Sequence, residues 1–136
     1  MKLILKKGHN YLYVISVAFF YFLLYPLLYL FSRNPANYKY MNKLRRFWGF
    51  LSSAFAGVFY RFTYEVPFDR TKTCIICSNH TSNLDISAMC LLVKGNYSFM
   101  GKDELSEGIV TRLFFRTVDV PVNRDSKMSS YRAFKK

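Results

Sequence analysis

The stretch Asn79-His80-Thr81-Ser82-Asn83-Leu84-Asp85 brings an imidazole and a carboxylate within five residues of each other. On one continuous helix these side chains would stand about 140° apart and could not meet. A turn between them removes that limit. With His80 at the end of a strand and Asp85 in the first turn of a helix, the carboxylate can bend back to one ring nitrogen. There it fixes the tautomer and stabilises the imidazolium. The other nitrogen is then a general base for a hydroxyl. The substrate's own alcohol can act as nucleophile against a thioester, so no serine is required. A second reading stays open on the same residues. Ser82 as N-cap and Asp85 three positions on form a capping box, which accounts for Asp85 by helix chemistry alone.

The elements that must position this pair follow from apolar spacing and turn residues. Thr73 to Ser78 (TCIICS) is β-branched and apolar and predicts a buried strand. From Leu84 to Val93 the pattern predicts a helix with Leu84, Ala88, Leu91 and Leu92 on one face. Asn96 to Met100 predicts a second strand after the Gly95 breaker, and Glu104 to Phe115 a helix weakened by Gly108. Val118 to Val122 predicts a third strand, and a further helix opens at Ser126. Alternating strands and helices mean an α/β fold with parallel pairing. Cys74 and Cys77 form a C-x-x-C pattern, but residues three apart in a strand point to opposite faces, which argues against metal or redox use. Cys90 reads as a small core residue. The sequence has no Gly-rich phosphate loop and no metal-ligand spacing, so no metal and no cofactor are expected.

The N-terminal half has a different character. From Met1 to Tyr64 there are nine Lys and Arg and no acid, whereas the rest carries eleven bases and all eight acids of a chain whose net charge is +12. Half of the 136 residues are hydrophobic and 19% are aromatic, which excludes intrinsic disorder. Three cysteines, an odd number, exclude a disulfide-stapled secreted scaffold and favour a thiol-reduced, cytoplasm-facing site. Residues 11–32 hold no charge over 22 positions, enough to cross roughly 30 Å of hydrocarbon. The run exceeds the apolar core of a signal peptide and has no small-x-small site after it, so it is expected to be retained, with a kink at Pro26. Phe47 to Tyr60 is too short to span and is expected at the interface. The stretch Arg33 to Arg46 between the runs carries Lys39, Lys43, Arg45 and Arg46. A helical hairpin in one leaflet and a single-span anchor both fit this pattern. Apolar runs beside the basic residues point to anionic lipid as partner and away from nucleic acid. The division expected is a membrane-anchoring helical region over 1–62 and an α/β region over 63–136.

The residues now on the page resemble a known family. Asn79-His80 with Asp85 beyond it is similar to the first signature, His-x4-Asp, of the glycerolipid acyltransferases, specifically the 1-acyl-sn-glycerol-3-phosphate acyltransferases. Glu65-Val66-Pro67-Phe68-Asp69-Arg70, Gly101-Lys102-Asp103-Glu104-Leu105 and Val120-Pro121-Val122-Asn123-Arg124 follow the order and approximate spacing of bacterial members. The resemblance implies N-terminal membrane-associated helices followed by a glycerolipid-acyltransferase-like α/β domain. It also implies transfer of a fatty acyl group from acyl-CoA or acyl carrier protein to the free hydroxyl of a lysophosphatidate, forming phosphatidate for phospholipid biosynthesis. His80 would be the general base and Asp85 its orienting partner. Arg124, Lys102 and Asn79 would bind substrate, the cations at its phosphate. The implied place is the cytoplasmic face of a membrane, the inner membrane in a bacterium.

The family's second block often has Asp where this chain has Asn123. Its third block, acidic-Gly-Thr-Arg, and its fourth, an apolar strand ending in a Pro turn, do not follow. The α/β region is therefore expected to be incomplete, an N-terminal part of the family's domain. A membrane-binding remnant without turnover is the alternative function.

Overall fold

Uncharged, helix-compatible residues in a long row give one long helix. In the computed structural model, which describes residues 2–66, 69, 72–79, 82 and 84–135, α1 spans Lys2–Ser32 and runs unbroken through Pro26. Asn34 ends the connection: its side-chain oxygen accepts from the Ala36 amide at 3.0 Å and opens a 3-10 turn at Pro35–Asn37. Helix α2, Tyr38–Phe55, returns antiparallel to α1, so that Phe31 meets Tyr40, Trp48 meets Val17 and His9 meets Ala56. Thus most of the basic stretch between the two apolar runs is helix. Gly57 stops α2 with φ +71°, a left-handed conformation that glycine adopts without strain. The Val58 amide bonds the Ser53 carbonyl at 2.8 Å and the Gly57 amide bonds that of Ala54 at 2.9 Å, the two bonds of a Schellman cap.

Small polar residues let the two helices approach. Ser16 Oγ donates to the Ser52 carbonyl at 2.8 Å and to the Tyr13 carbonyl at 2.7 Å, and the Trp48 indole donates to Val17 O at 3.0 Å. Serine and glycine at a helix contact are the means by which apolar helices pack closely. The opposite face of α1, with Leu12, Ile15, Phe19, Phe22, Leu23 and Leu30, is exposed.

The remaining elements are α3 (Leu84–Leu92), β1 (Met100–Lys102), a 3-10 turn (Asp103–Ser106), α4 (Arg112–Phe115), β2 (Val120–Val122) and α5 (Lys127–Lys135). β1 and β2 pair in parallel, Met100 opposite Val120 and Lys102 opposite Val122, with α4 in the crossover. The chain is mostly helical, with a two-stranded parallel sheet. Gly101 has no room for a side chain, since a Cβ there would lie 2.7 Å from the ring of the buried Phe115.

Four sequence expectations are corrected. The strand expected over Asn96 to Met100 is instead Met100–Lys102, the residues that pair with β2. Thr73 to Ser78 is no buried strand: these residues are exposed, Ile75 to 80%, and carry no ladder. A strand exists only against a neighbour, and among the described residues β1 and β2 pair with each other. The expected Glu104–Phe115 helix is two short pieces, broken where the Thr111 hydroxyl bonds the Leu105 carbonyl beside Gly108. On α3 the most buried positions are Ser87 and Cys90, with Leu84, Ala88, Leu91 and Leu92 only partly covered. The reason lies in α2, which presents Gly49 to that face and favours small residues opposite it.

One buried ion pair joins the hairpin to the sheet. Arg45 of α2 donates to both oxygens of Asp119, at 3.1 and 2.9 Å, and the two side chains are 3% and 2% exposed. Asn42 Oδ1 accepts from the same guanidinium at 3.2 Å, and the Phe99 amide bonds Asp119 Oδ1 at 2.9 Å. The rings of Phe114, Tyr97 and Phe99 surround the guanidinium at 4.7, 5.0 and 5.1 Å. Burial pushes the Asp119 carboxyl above its ordinary range, opposed by Arg45 and by the Phe99 amide. A shared apolar core of Tyr21, Leu28, Met41, Phe114 and Val118 lies beside this pair. Removing one member strands the other charge, so Arg45→Ala is expected to lower the unfolding free energy by about 3–5 kcal/mol, and Arg45→Met with Asp119→Leu by less than either single change. Urea titration in detergent measures both. An Arg45→Ala protein as stable as the parent contradicts the account.

Candidate functional site

The turn that opens α3 is built as a capping box. The Ser82 hydroxyl accepts from the Leu84 amide at 3.2 Å, and the Asp85 carboxylate reaches back to the Ser82 amide at 2.9 Å. The Asp85 amide bonds the Ser82 carbonyl at 3.1 Å, which closes the turn. Asp85 is therefore held at the positive end of α3, partly buried, with one oxygen engaged by its own turn. His80, the other member of the expected pair, lies outside the described residues. Asn79 is exposed.

The two expected phosphate ligands lie toward the same end of the sheet. Lys102 is the last residue of β1, and Arg124 stands two residues beyond the end of the parallel β2. The C-terminal ends of parallel strands are where α/β sheets present ligand-binding groups. Arg124 sits in the turn between β2 and α5. The Asn123 side chain accepts from the Asp125 amide at 2.9 Å, and Ser129 Oγ accepts from the Asn123 amide at 3.0 Å. Ser126 caps α5 by accepting from the Ser129 amide at 3.2 Å. Asn123 thus shapes the turn that carries Arg124. Lys102 Nζ is 2.6 Å from Glu104 Oε1, with both side chains exposed, so this pair is weak and exchangeable. Asp85 stands on a separate element, and α3 packs chiefly on α2.

Behind α3 lies an apolar cavity of about 260 Å³ lined by Phe50, Ser53, Val58, Phe59, Tyr60, Phe62 and Leu91. Its Tyr60 hydroxyl donates to the Leu84 carbonyl at 3.2 Å, one residue before Asp85. Burial raises the pKa of the Cys90 thiol and of the Tyr97 phenol above their ordinary values. Among the described residues no three His, Cys, Asp or Glu side chains gather as a metal site. Gly8–Ser32 is long and apolar enough to cross a bilayer, which is weak support for membrane association, because core helices and leader sequences meet the same criterion.

Sequence reasoning missed the groups that seat α3 and the sheet. Tyr13, Ser87 and Tyr60 carried no local signal, since the Tyr13–Ser87 contact spans 74 positions. Asp119 did carry one, because an acid flanked by Val118 and Val120 in a strand pattern is a buried charge in need of a cation.

A family model described as Acyltransferase matches residues 60–136, more than half of the chain. A search of curated proteins and a search of solved structures each returned no match. The matched region takes in the capping turn, Lys102 and Arg124. The Ser82 cap is expected to contribute about 1 kcal/mol, so Ser82→Ala should lower the urea midpoint by the corresponding amount. An unchanged midpoint would mean that the cap does not hold α3.

Proposed function

This chain belongs to the acyltransferase family, and on that premise we propose that it transfers a fatty acyl group from acyl-CoA or acyl carrier protein to the free hydroxyl of 1-acylglycerol-3-phosphate, forming phosphatidate at a membrane surface. The observation that carries the choice of acceptor is the placement of Lys102 at the end of β1 and of Arg124 two residues beyond the end of the parallel β2. Two cations there suit a phosphate monoester, which a guanidinium holds through paired hydrogen bonds. Held by its phosphate, the acceptor presents its hydroxyl in a restricted range of positions, and that restriction is worth much of the barrier.

In the proposed reaction His80 removes the proton from the acceptor hydroxyl as its oxygen attacks the thioester carbonyl. The tetrahedral intermediate collapses with cleavage of the C–S bond, and the imidazolium returns the proton to the leaving thiolate. Asp85, fixed on its helix cap, orients the imidazole and stabilises its cation. The apolar cavity beside Tyr60 and Leu91 has the lining to receive part of an acyl chain.

The hairpin supports a membrane role with one helix face immersed. Tyr13, Ser16, Tyr21, Leu28 and Ser32 are buried along the length of α1, while Leu12, Ile15, Phe19 and Leu30 on its other side are exposed. A helix packed on one side and apolar on the other is suited to lipid contact, both as an upright span and in one leaflet.

In anionic vesicles carrying lysophosphatidate and acyl-CoA, the chain is expected to form phosphatidate. His80→Ala is expected to lower kcat by at least about 100-fold with vesicle binding intact, and Arg124→Ala to raise the KM for lysophosphatidate. Phosphatidate formation that survives His80→Ala overturns the mechanism. Vesicle binding without any turnover by the parent chain would establish instead a membrane-binding protein without catalysis.

A further inference from the structure

The helix that carries Asp85 is held by groups from outside the α/β segment. Tyr13 of α1 and Ser87 of α3 share a hydrogen bond of 2.6 Å between their hydroxyls, and the two residues are 4% and 7% exposed. Tyr60, in the segment after α2, donates to the carbonyl of Leu84 at 3.2 Å. These two bonds fall on either side of Asp85, one residue before it and two after. Gly49 of α2 completes the seat: a Cβ there would lie 3.6 Å from that of Cys90 and 3.7 Å from the Ser87 carbonyl oxygen.

A helix of nine residues has no stable orientation of its own and takes it from what it packs against. The neighbour is the hairpin. A rotation of α3 about its axis would swing Asp85 and Ser87 together, and the Tyr13 hydroxyl opposes that rotation at the Ser87 end. The bond lies in a buried setting, where a hydroxyl left without a partner is costly. We propose that Tyr13 is a positioning residue for acyl transfer: through Ser87 it fixes the first turn of α3 and so the direction of the Asp85 carboxylate. The membrane helix is then part of the support of the active site as well as an anchor. This inference rests on the role given to Asp85 under the proposed function.

The test uses the full chain in vesicles of phosphatidylglycerol and phosphatidylcholine with lysophosphatidate and acyl-CoA. Tyr13→Phe keeps the ring and removes only the hydroxyl, and Ser87→Ala removes the bond from the other side. Each is expected to lower kcat about fivefold, the equivalent of one ordinary hydrogen bond, with KM for both substrates unchanged. The double variant should be no slower than either single one. Less well-directed stabilisation of the imidazolium also moves the acid limb of the kcat–pH profile to lower pH in both variants. A purely structural role lowers the amount of active enzyme and leaves that limb in place.

Parental kcat in both variants, losses that multiply in the double variant, or an unmoved acid limb each overturn the inference. If Tyr13→Phe fails to fold by circular dichroism, Ser87→Ala carries the test alone through its KM and its pH limb. Asp85→Asn separates the two levels. Its inactivity beside parental kinetics of Tyr13→Phe and Ser87→Ala refutes only the positioning role. Parental kinetics of Asp85→Asn refutes the dyad, and the positioning inference with it.

Discussion

Arg45 and Asp119 are the contact on which the arrangement depends. A guanidinium and a carboxylate buried to within a few per cent lose their hydration, and the loss is offset only while they face each other in a fork with their remaining sites occupied. Asn42 and the Phe99 amide occupy those sites, and three aromatic rings exclude water around them. Arg45 belongs to the hairpin. Asp119 and Phe99 immediately precede the two strands, so the pair fixes where the sheet begins relative to α2 and thereby where Lys102 and Arg124 emerge at its far end.

The same hairpin seats the helix that carries Asp85. Its apolar outer face suits lipid, its inner face sets Tyr13 and Gly49 against α3, and its buried Arg45 grips Asp119 immediately before β2. An anchor tethered by a flexible linker would leave catalytic geometry to the domain alone. Here the exposed apolar face of α1 and the Tyr13 and Gly49 contacts that seat α3 lie on the same two helices.

Much of this was legible in local pattern. The long uncharged run gave α1, the Ser82 to Asp85 spacing gave the capped start of α3, and the valine-rich stretch around Val120 gave β2 to within two residues, whereas the apolar run expected to continue to Tyr60 leaves the helix at Phe55. What failed has a physical reason in each case. Thr73 to Ser78 has strand composition, but composition does not supply a partner strand. Arg45 looked like one more interfacial cation in a basic stretch, because a charge count does not record which helix face a residue occupies. Had the face Met41, Arg45, Gly49, Ser52 been followed, Arg45 would have stood out as the charge among small and apolar neighbours. Of the expected site, the cap at Asp85 and the common end of Lys102 and Arg124 stand in the described residues, and His80 lies outside them.

The central claim is that hairpin and sheet are one cooperative body held at the Arg45–Asp119 pair. Native-state amide hydrogen exchange of the full chain in detergent micelles tests it most directly. The reporters are Phe99 and Val120, whose amides bond Asp119 and the Phe99 carbonyl, and Arg45 and Gly49 within α2. One opening free energy shared by all four is the predicted result. Exchange of Phe99 and Val120 through a separate, lower-energy opening while α2 stays protected would contradict it.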